Sequence, residues 1–199
     1  MHDVAGKMAC IAALVLLGGC SGGATRFVHP DADLPFYEKV AVIPFQSLAQ
    51  DRLAGEKVTN IFFAEVLRRK FDQVVEPGQF TAAMIRVRGG TPYTNPWSGE
   101  ELGKLVEETG IQGVFMGTVR EYTMTQNGRD MYPMVALEVR FVDAGTGRIV
   151  WSSSVTRRTG PGVPFFGGGA RTLDGLAASA CRELLATLPE VKSHGKRPS

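Results

Sequence analysis

The sequence predicts a single α/β domain with helices packed on a mixed sheet. Three observations point to it: an apolar strand near residue 40 that leads into an amphipathic helix and a second strand, alternating strands with hairpin signals between residues 111 and 157, and a closing amphipathic helix. The element order is β-α-β-α-α-β-β-β-α, one domain spanning residues 36–190.

Residues 39–45, Lys-Val-Ala-Val-Ile-Pro-Phe, form a short apolar run of the kind buried on both faces of a sheet. Pro44 is expected to end its pairing, because proline has no N–H to give to a ladder. A polar loop over 46–55 precedes a helix over 56–70, in which Val58, Ile61, Phe62 and Val66 make one apolar stripe. Residues 71–76 read as the second strand, parallel to the first through a right-handed crossover. Residues 80–87 read as a short helix, and 88–97 as a Gly/Pro loop. Ser98 and Glu101 then have capping-box spacing and start a helix with Leu102, Leu105 and Val106 inward, stopped by Gly110.

The second half reads as antiparallel. A strand over 111–125 meets an Asn127-Gly128 turn, the hairpin signal, and a strand over 133–142 alternates Val135, Leu137, Val139 and Phe141 against Glu138 and Arg140. Asp143 to Gly147 is a second turn, with Asp143 as its turn residue, and 148–157 is the last strand. Residues 172–188 close the domain as a helix, and 191–199 read as a disordered basic tail.

The N-terminus sets the compartment. Met8 to Leu17 is apolar and has the length of a signal-peptide core, roughly 7–15 residues, well short of the ~20 that a spanning helix needs. The residues that follow, Leu17-Gly18-Gly19-Cys20, resemble the lipobox of bacterial lipoproteins. Leu17, Gly18 and Gly19 suit signal-peptidase recognition, and the Cys20 thiol is the group that takes the lipid. Residues 1–19 are therefore expected to be a signal peptide and 20–35 a lipidated tether, with the membrane as a partner through lipid on Cys20. Ser21, where such lipoproteins carry Asp for inner-membrane retention, points to the outer membrane.

Loss of residues 1–19 removes one cation, Lys7, and one anion, Asp3, so the net charge stays at +2. That near-neutral balance offers no basic footprint for nucleic acid. Of three cysteines, Cys10 leaves with the leader and Cys20 is acylated, so Cys181 is expected to remain as a buried, inert thiol. Histidines occur at His2, His29 and His194, in the leader, tether and tail. A histidine-free domain excludes Ser-His-Asp and Cys-His catalysis and histidine-based zinc sites, and no phosphate-binding loop motif is present. No catalytic residue, cofactor or metal is expected. Glu100-Glu101 and Glu107-Glu108 read as a solvated helix face, and peptidoglycan hydrolysis through a carboxylate pair is the enzyme alternative.

Two loops carry aromatics among Gly and Pro: Tyr93 with Trp97, and Phe165 with Phe166. These four are the candidate partner-binding residues, since aromatics are enriched at interface hot spots. For Trp97, beside a helix cap, completion of the core is the favoured reading. For Phe165 and Phe166 the favoured reading is docking.

Four segments carry a family resemblance: residues 40–45, 74–78, 105–118 with its Gly-Ile-Gln-Gly-Val-Phe-Met-Gly-Thr run, and 139–151 with Asp143-Ala-Gly-Thr-Gly147. Together they resemble the periplasmic domain shared by curli-secretion lipoproteins (CsgG-like) and LpoB-like activators of penicillin-binding proteins, and the amino-terminal domain of TolB is similar. The resemblance implies a non-catalytic periplasmic module that binds a protein partner or copies of itself. Residues 122–134 and 157–172, which stand where curli channels carry pore-forming hairpins, are too short for hairpins whose strands each need ~9–11 residues. The alternatives are activation of a peptidoglycan synthase and a place in a curli-like secretion or surface-appendage system.

Overall fold

The computed structural model describes residues 23–69, 71–90, 97–160 and 172–190. Among them one mixed sheet contains β1 (Thr25–Val28), β2 (Lys39–Val42), β3 (Gln46–Ser47), β4 (Gln73–Val74), β5 (Gly113–Asn127), β6 (Asp130–Asp143) and β7 (Ile149–Arg158). The helices are α1 (Ala54–Val66), α2 (Pro77–Arg88), α3 (Gly99–Thr109) and α4 (Leu173–Ala186), and a 3-10 turn, Leu34–Phe36, joins β1 to β2. The strand order is β1-β7-β6-β5-β2-β4, with β3 also on β5. Pairing is parallel at β4-β2-β5 and antiparallel from β5 through β6 and β7 to β1. The α/β class predicted from the sequence is the class observed. Among the described residues no helix is long and apolar enough to cross a membrane.

The sheet has a core on each face. On one, α1 and α4 cover Val40, Val42, Phe115, Leu137, Val139, Phe141 and Trp151. Aromatic rings fill this layer: Phe62–Phe115 at 5.4 Å, Phe115–Phe141 at 4.5 Å and Phe115–Trp151 at 6.4 Å between centroids. Burying each such ring contributes ~1.5–3 kcal/mol, and well-placed ring pairs add ~0.5–1.5 kcal/mol. On the other face, Phe80 and Met84 of α2 with Leu102 and Leu105 of α3 cover Ala41, Ile43, Val114 and Val142. Beyond that patch the antiparallel half of the second face is mostly polar, with Glu138 and Arg140 from β6 and Ser152, Ser154 and Thr156 from β7 at least partly exposed, and with Phe27 of β1 exposed beside Ser152.

Several local expectations hold. Ser98 accepts from the Glu101 amide while Glu101 accepts from the Ser98 amide, a complete capping box, and Gly110 ends α3 in the left-handed region. Gly128, at φ +66°, makes the β5–β6 turn, which only a residue free of a Cβ adopts without strain. The helix α2 starts at Pro77, earlier than its apolar spacing suggests, because the Glu76 carboxylate accepts from the Gln79 amide at 2.9 Å. That early start trims the expected second strand to Gln73–Val74.

Two expectations need correction. Pro44 interrupts pairing without ending it. After Val42↔Phe115 the ladder to β5 resumes at Gln46↔Thr118, with one extra residue on the proline side. The Phe45 N–H, turned out of the ladder, donates to Thr59 Oγ1 at 2.8 Å, and that hydroxyl donates to the Gly55 carbonyl at 2.6 Å. The Phe45 ring lies on Gly117, where a Cβ would come within 2.6 Å of it.

The second correction concerns residues 20–35, read as a tether. Thr25–Val28 pairs with β7 through Thr25↔Ser154 and Val28↔Trp151. Its Thr-Arg-Phe-Val composition suits a strand, and it covers an otherwise open edge of β7. His29 is drawn in with it: its N–H donates to the Val150 carbonyl at 2.8 Å, and its Nδ1 accepts from the Asp31 amide. The domain therefore holds one histidine where none was expected.

Thr59→Val keeps the shape of the side chain but leaves the Phe45 N–H buried without an acceptor. A loss of ~1–3 kcal/mol is expected, read as a lower urea midpoint with unchanged slope.

Candidate functional site

The sequence-predicted site residues are not gathered in one place. Leu17, Gly18, Gly19, Cys20, Tyr93, Phe165 and Phe166 lie outside the described residues. Trp97 is 8 % exposed and belongs to the core beneath α2 and α3. The Arg88 guanidinium covers its ring at 3.9 Å from the centroid, and Arg88 Nε donates to Glu101 Oε1 at 2.9 Å. Arg88, in the last turn of α2, and Glu101, in the first turn of α3, thus clasp the two helices over Trp97. The Arg88 hydrogen bond, helped by the Ser98 amide, lowers the Glu101 carboxyl to about 2. Glu101 is a structural anion, and its neighbour Glu100 pairs with Lys104 at 2.8 Å on the solvent side.

Sequence reasoning missed two constellations at the end of the sheet where the β5–β6 hairpin leaves the body. In the first, the Tyr122 phenol donates to Asp174 in the first turn of α4. Lys57 of α1 stands 5.7 Å from the Tyr122 ring centroid and donates to Asp51 Oδ2 at 2.8 Å. Burial, then Asp174, raises the phenol above its ordinary range. Its hydrogen bond with Lys57 holds Asp51 below the usual carboxylate range. A protonated phenol and a paired carboxylate and ammonium tie α1, β5 and α4 together. Neither Tyr122 nor Lys57 is a base at neutral pH.

The second constellation holds the start of the domain. Glu183 of α4 accepts from the Ala24 amide at 3.1 Å and from Arg157 Nε at 2.7 Å, with a second bond from Arg157 Nη2. Beside it Thr25 Oγ1 and Ser154 Oγ share a hydrogen bond at 2.7 Å, and Ser153 Oγ donates to the Thr25 carbonyl at 2.6 Å. The one signal for this in the sequence was the β-branched and aromatic run 25–28.

Among the described residues no group of three or more His, Cys, Asp or Glu could hold a metal ion. Cys181 is fully buried on α4, and burial, reinforced by Glu65, pushes its thiol up to about 12. Asp143 has the turn role expected of it: Oδ1 accepts from the Thr146 amide at 2.7 Å, and Oδ2 accepts from the Tyr37 phenol at 2.9 Å.

The architecture has known counterparts. The fold is shared with PelC. A PelC dodecamer from Paraburkholderia phytofirmans matches with a TM-score of 0.57 at 18 % identity, over 84 % of this chain and 96 % of that one. Lipoprotein GNA1162 from Neisseria meningitidis matches at 0.53 and 21 % identity, over 74 % and 97 %. The LpoB C-terminal domain from Escherichia coli is a looser match, at 0.46 and 14 % identity, over 74 % and 93 %. No protein-family model matches the sequence, and no curated protein matches it.

The clasp over Trp97 carries a pH dependence. The folded-state pKa of Glu101 lies below the ordinary 4.5, so its stabilisation is fully present above that pH and is lost as pH falls toward about 2. Glu101→Gln should flatten the fall of the thermal midpoint across this window, as read by circular dichroism on both proteins.

Proposed function

We propose that this chain is an outer-membrane lipoprotein whose α/β domain faces the periplasm and works by binding protein, without catalysis. The observation that supports the binding role best is the fold shared with PelC, whose subunits form a dodecamer. By that likeness further copies of this chain are the first partner to test, and a separate periplasmic protein is the second. The likeness to a Neisseria lipoprotein agrees with Leu17-Gly18-Gly19-Cys20 behind an apolar leader as the signal for cleavage and acylation. The structural roles of Tyr122, Asp51 and Glu101, each tied to another side chain, support a non-catalytic reading over the hydrolase alternative.

A second reading, a subunit of a secretion or surface-appendage system of the curli-like kind, draws on the same dodecamer, because such systems work as rings of copies. An LpoB-like role in activating a peptidoglycan synthase draws on the sequence resemblance. A pull-down separates them: a synthase in one case, ring-forming copies or a secreted subunit in the other.

Cys20→Ser should move the protein from the envelope membranes to the soluble fraction and remove the acyl mass from the mature chain. A variant that still sediments with membranes, at unaltered mass, overturns the anchoring. For the assembly role, light scattering on the detergent-extracted protein should give a multiple of the chain mass. A monomer that captures no envelope protein by cross-linking overturns that part.

A further inference from the structure

The place where the chain enters the sheet limits how far the domain can stand from its anchor. Thr25 pairs with Ser154, and Ser154 pairs with Glu138. β1 is antiparallel to β7, so tracing back from Thr25 toward Cys20 heads for the end of the sheet that carries the β5–β6 turn. From the level of Glu138 that hairpin continues to Asp130, eight residues along β6 and at most ~26 Å at the rise of a β-strand, with one bulge at Arg120 on the β5 side. The chain from Thr25 to Cys20 is five residues, which span at most ~18 Å when fully extended. Glu183 holds the Ala24 amide, which takes one of those residues out of free play.

The hairpin therefore reaches about 5 Å farther along the strands than the anchoring sulfur can, the Cys20 side chain itself adding at most ~3 Å. The tip meets the membrane plane when the strands stand near the normal and clears it when they lean well away from it. That excess matches the lower end of the ~5–10 Å by which interfacial elements bury an apolar face. The side chains at the tip suit such a place. Met131 is 54 % exposed, Met124 and Tyr132 are partly exposed, and Arg129 is exposed beside the turn. A thioether adapts to an irregular apolar boundary, a tyrosine ring sits at headgroup level, and a guanidinium pairs with lipid phosphate.

We propose that the β5–β6 hairpin tip, residues 124–132, is a lipid-contact site that rests among phospholipid headgroups with the strands steep to the membrane. This rests on acylation at Cys20, and it gives the domain a fixed orientation instead of free motion on a leash.

The test uses the mature lipoprotein in vesicles of phosphatidylethanolamine and phosphatidylglycerol that carry a nitroxide quencher near the headgroups. Met131→Trp places an indole at the tip, and Leu67→Trp places one at an exposed site where α1 ends, away from the hairpin. Trp97 and Trp151 are buried, and their emission is subtracted with the unsubstituted protein. Quenching is expected to be several-fold stronger for Met131→Trp, with its emission shifted to shorter wavelength. A Gly/Ser segment of about ten residues inserted after Gly23 should cancel the difference, because a flexible linker of that length frees the domain. Arg129→Trp serves as a second tip probe if Met131→Trp folds poorly. Equal quenching at tip and control, in a chain whose mass shows acylation, overturns this proposal and leaves the anchoring intact. An unmodified mass at Cys20 overturns both.

Discussion

The pairing of β5 with strands of opposite direction on its two edges holds this molecule together. On one edge β2 and β3 run parallel to it, and on the other β6 runs antiparallel. Val114 faces the core beneath α2 and α3, and Phe115 faces the core beneath α1 and α4. A shift of one residue in β5 would exchange these two side chains between layers, so each core fixes the register that the other needs. Gly117 completes the constraint, since the Phe45 ring occupies the space where a side chain would stand.

Around that seam the polar groups mostly join elements distant in sequence. Tyr122 reaches Asp174, Tyr37 reaches Asp143, Arg157 reaches Glu183 and Trp151 Nε1 reaches Thr187 Oγ1. Each has its hydrogen-bonding capacity turned inward to another element. Groups held this way fasten β5, β6, β7, α4 and the segment before β2 to one another.

The fold was legible where local chemistry agrees with tertiary context. The capping box at Ser98 and Glu101, the Asn127-Gly128 turn and the alternation along β6 all have causes within a few residues. What escaped has a partner far along the chain. Thr25–Val28 looks like a linker until Ser154 is placed beside it, and Pro44 looks like a stop until Thr59 is seen to take the Phe45 N–H. The candidate site was less legible for the same reason. The core reading favoured for Trp97 holds, since it is buried, but the Arg88 guanidinium that closes over it from α2 has no local signal. The clusters at Tyr122 and Glu183 draw on residues from three elements each, and no spacing in the sequence announces them.

The entry strand also dictates an order of events. Its partner in the sheet is β7, and Thr25 and Ser154 are 129 residues apart. Chains are made from the amino terminus, so the edge that receives β1 does not exist until nearly all of the domain has been synthesised. Pairing over that separation carries a large loop-closure cost and belongs to the last steps of folding. Thr25–Val28 therefore stays unpaired until β7 is in place, and its docking closes that edge of the sheet.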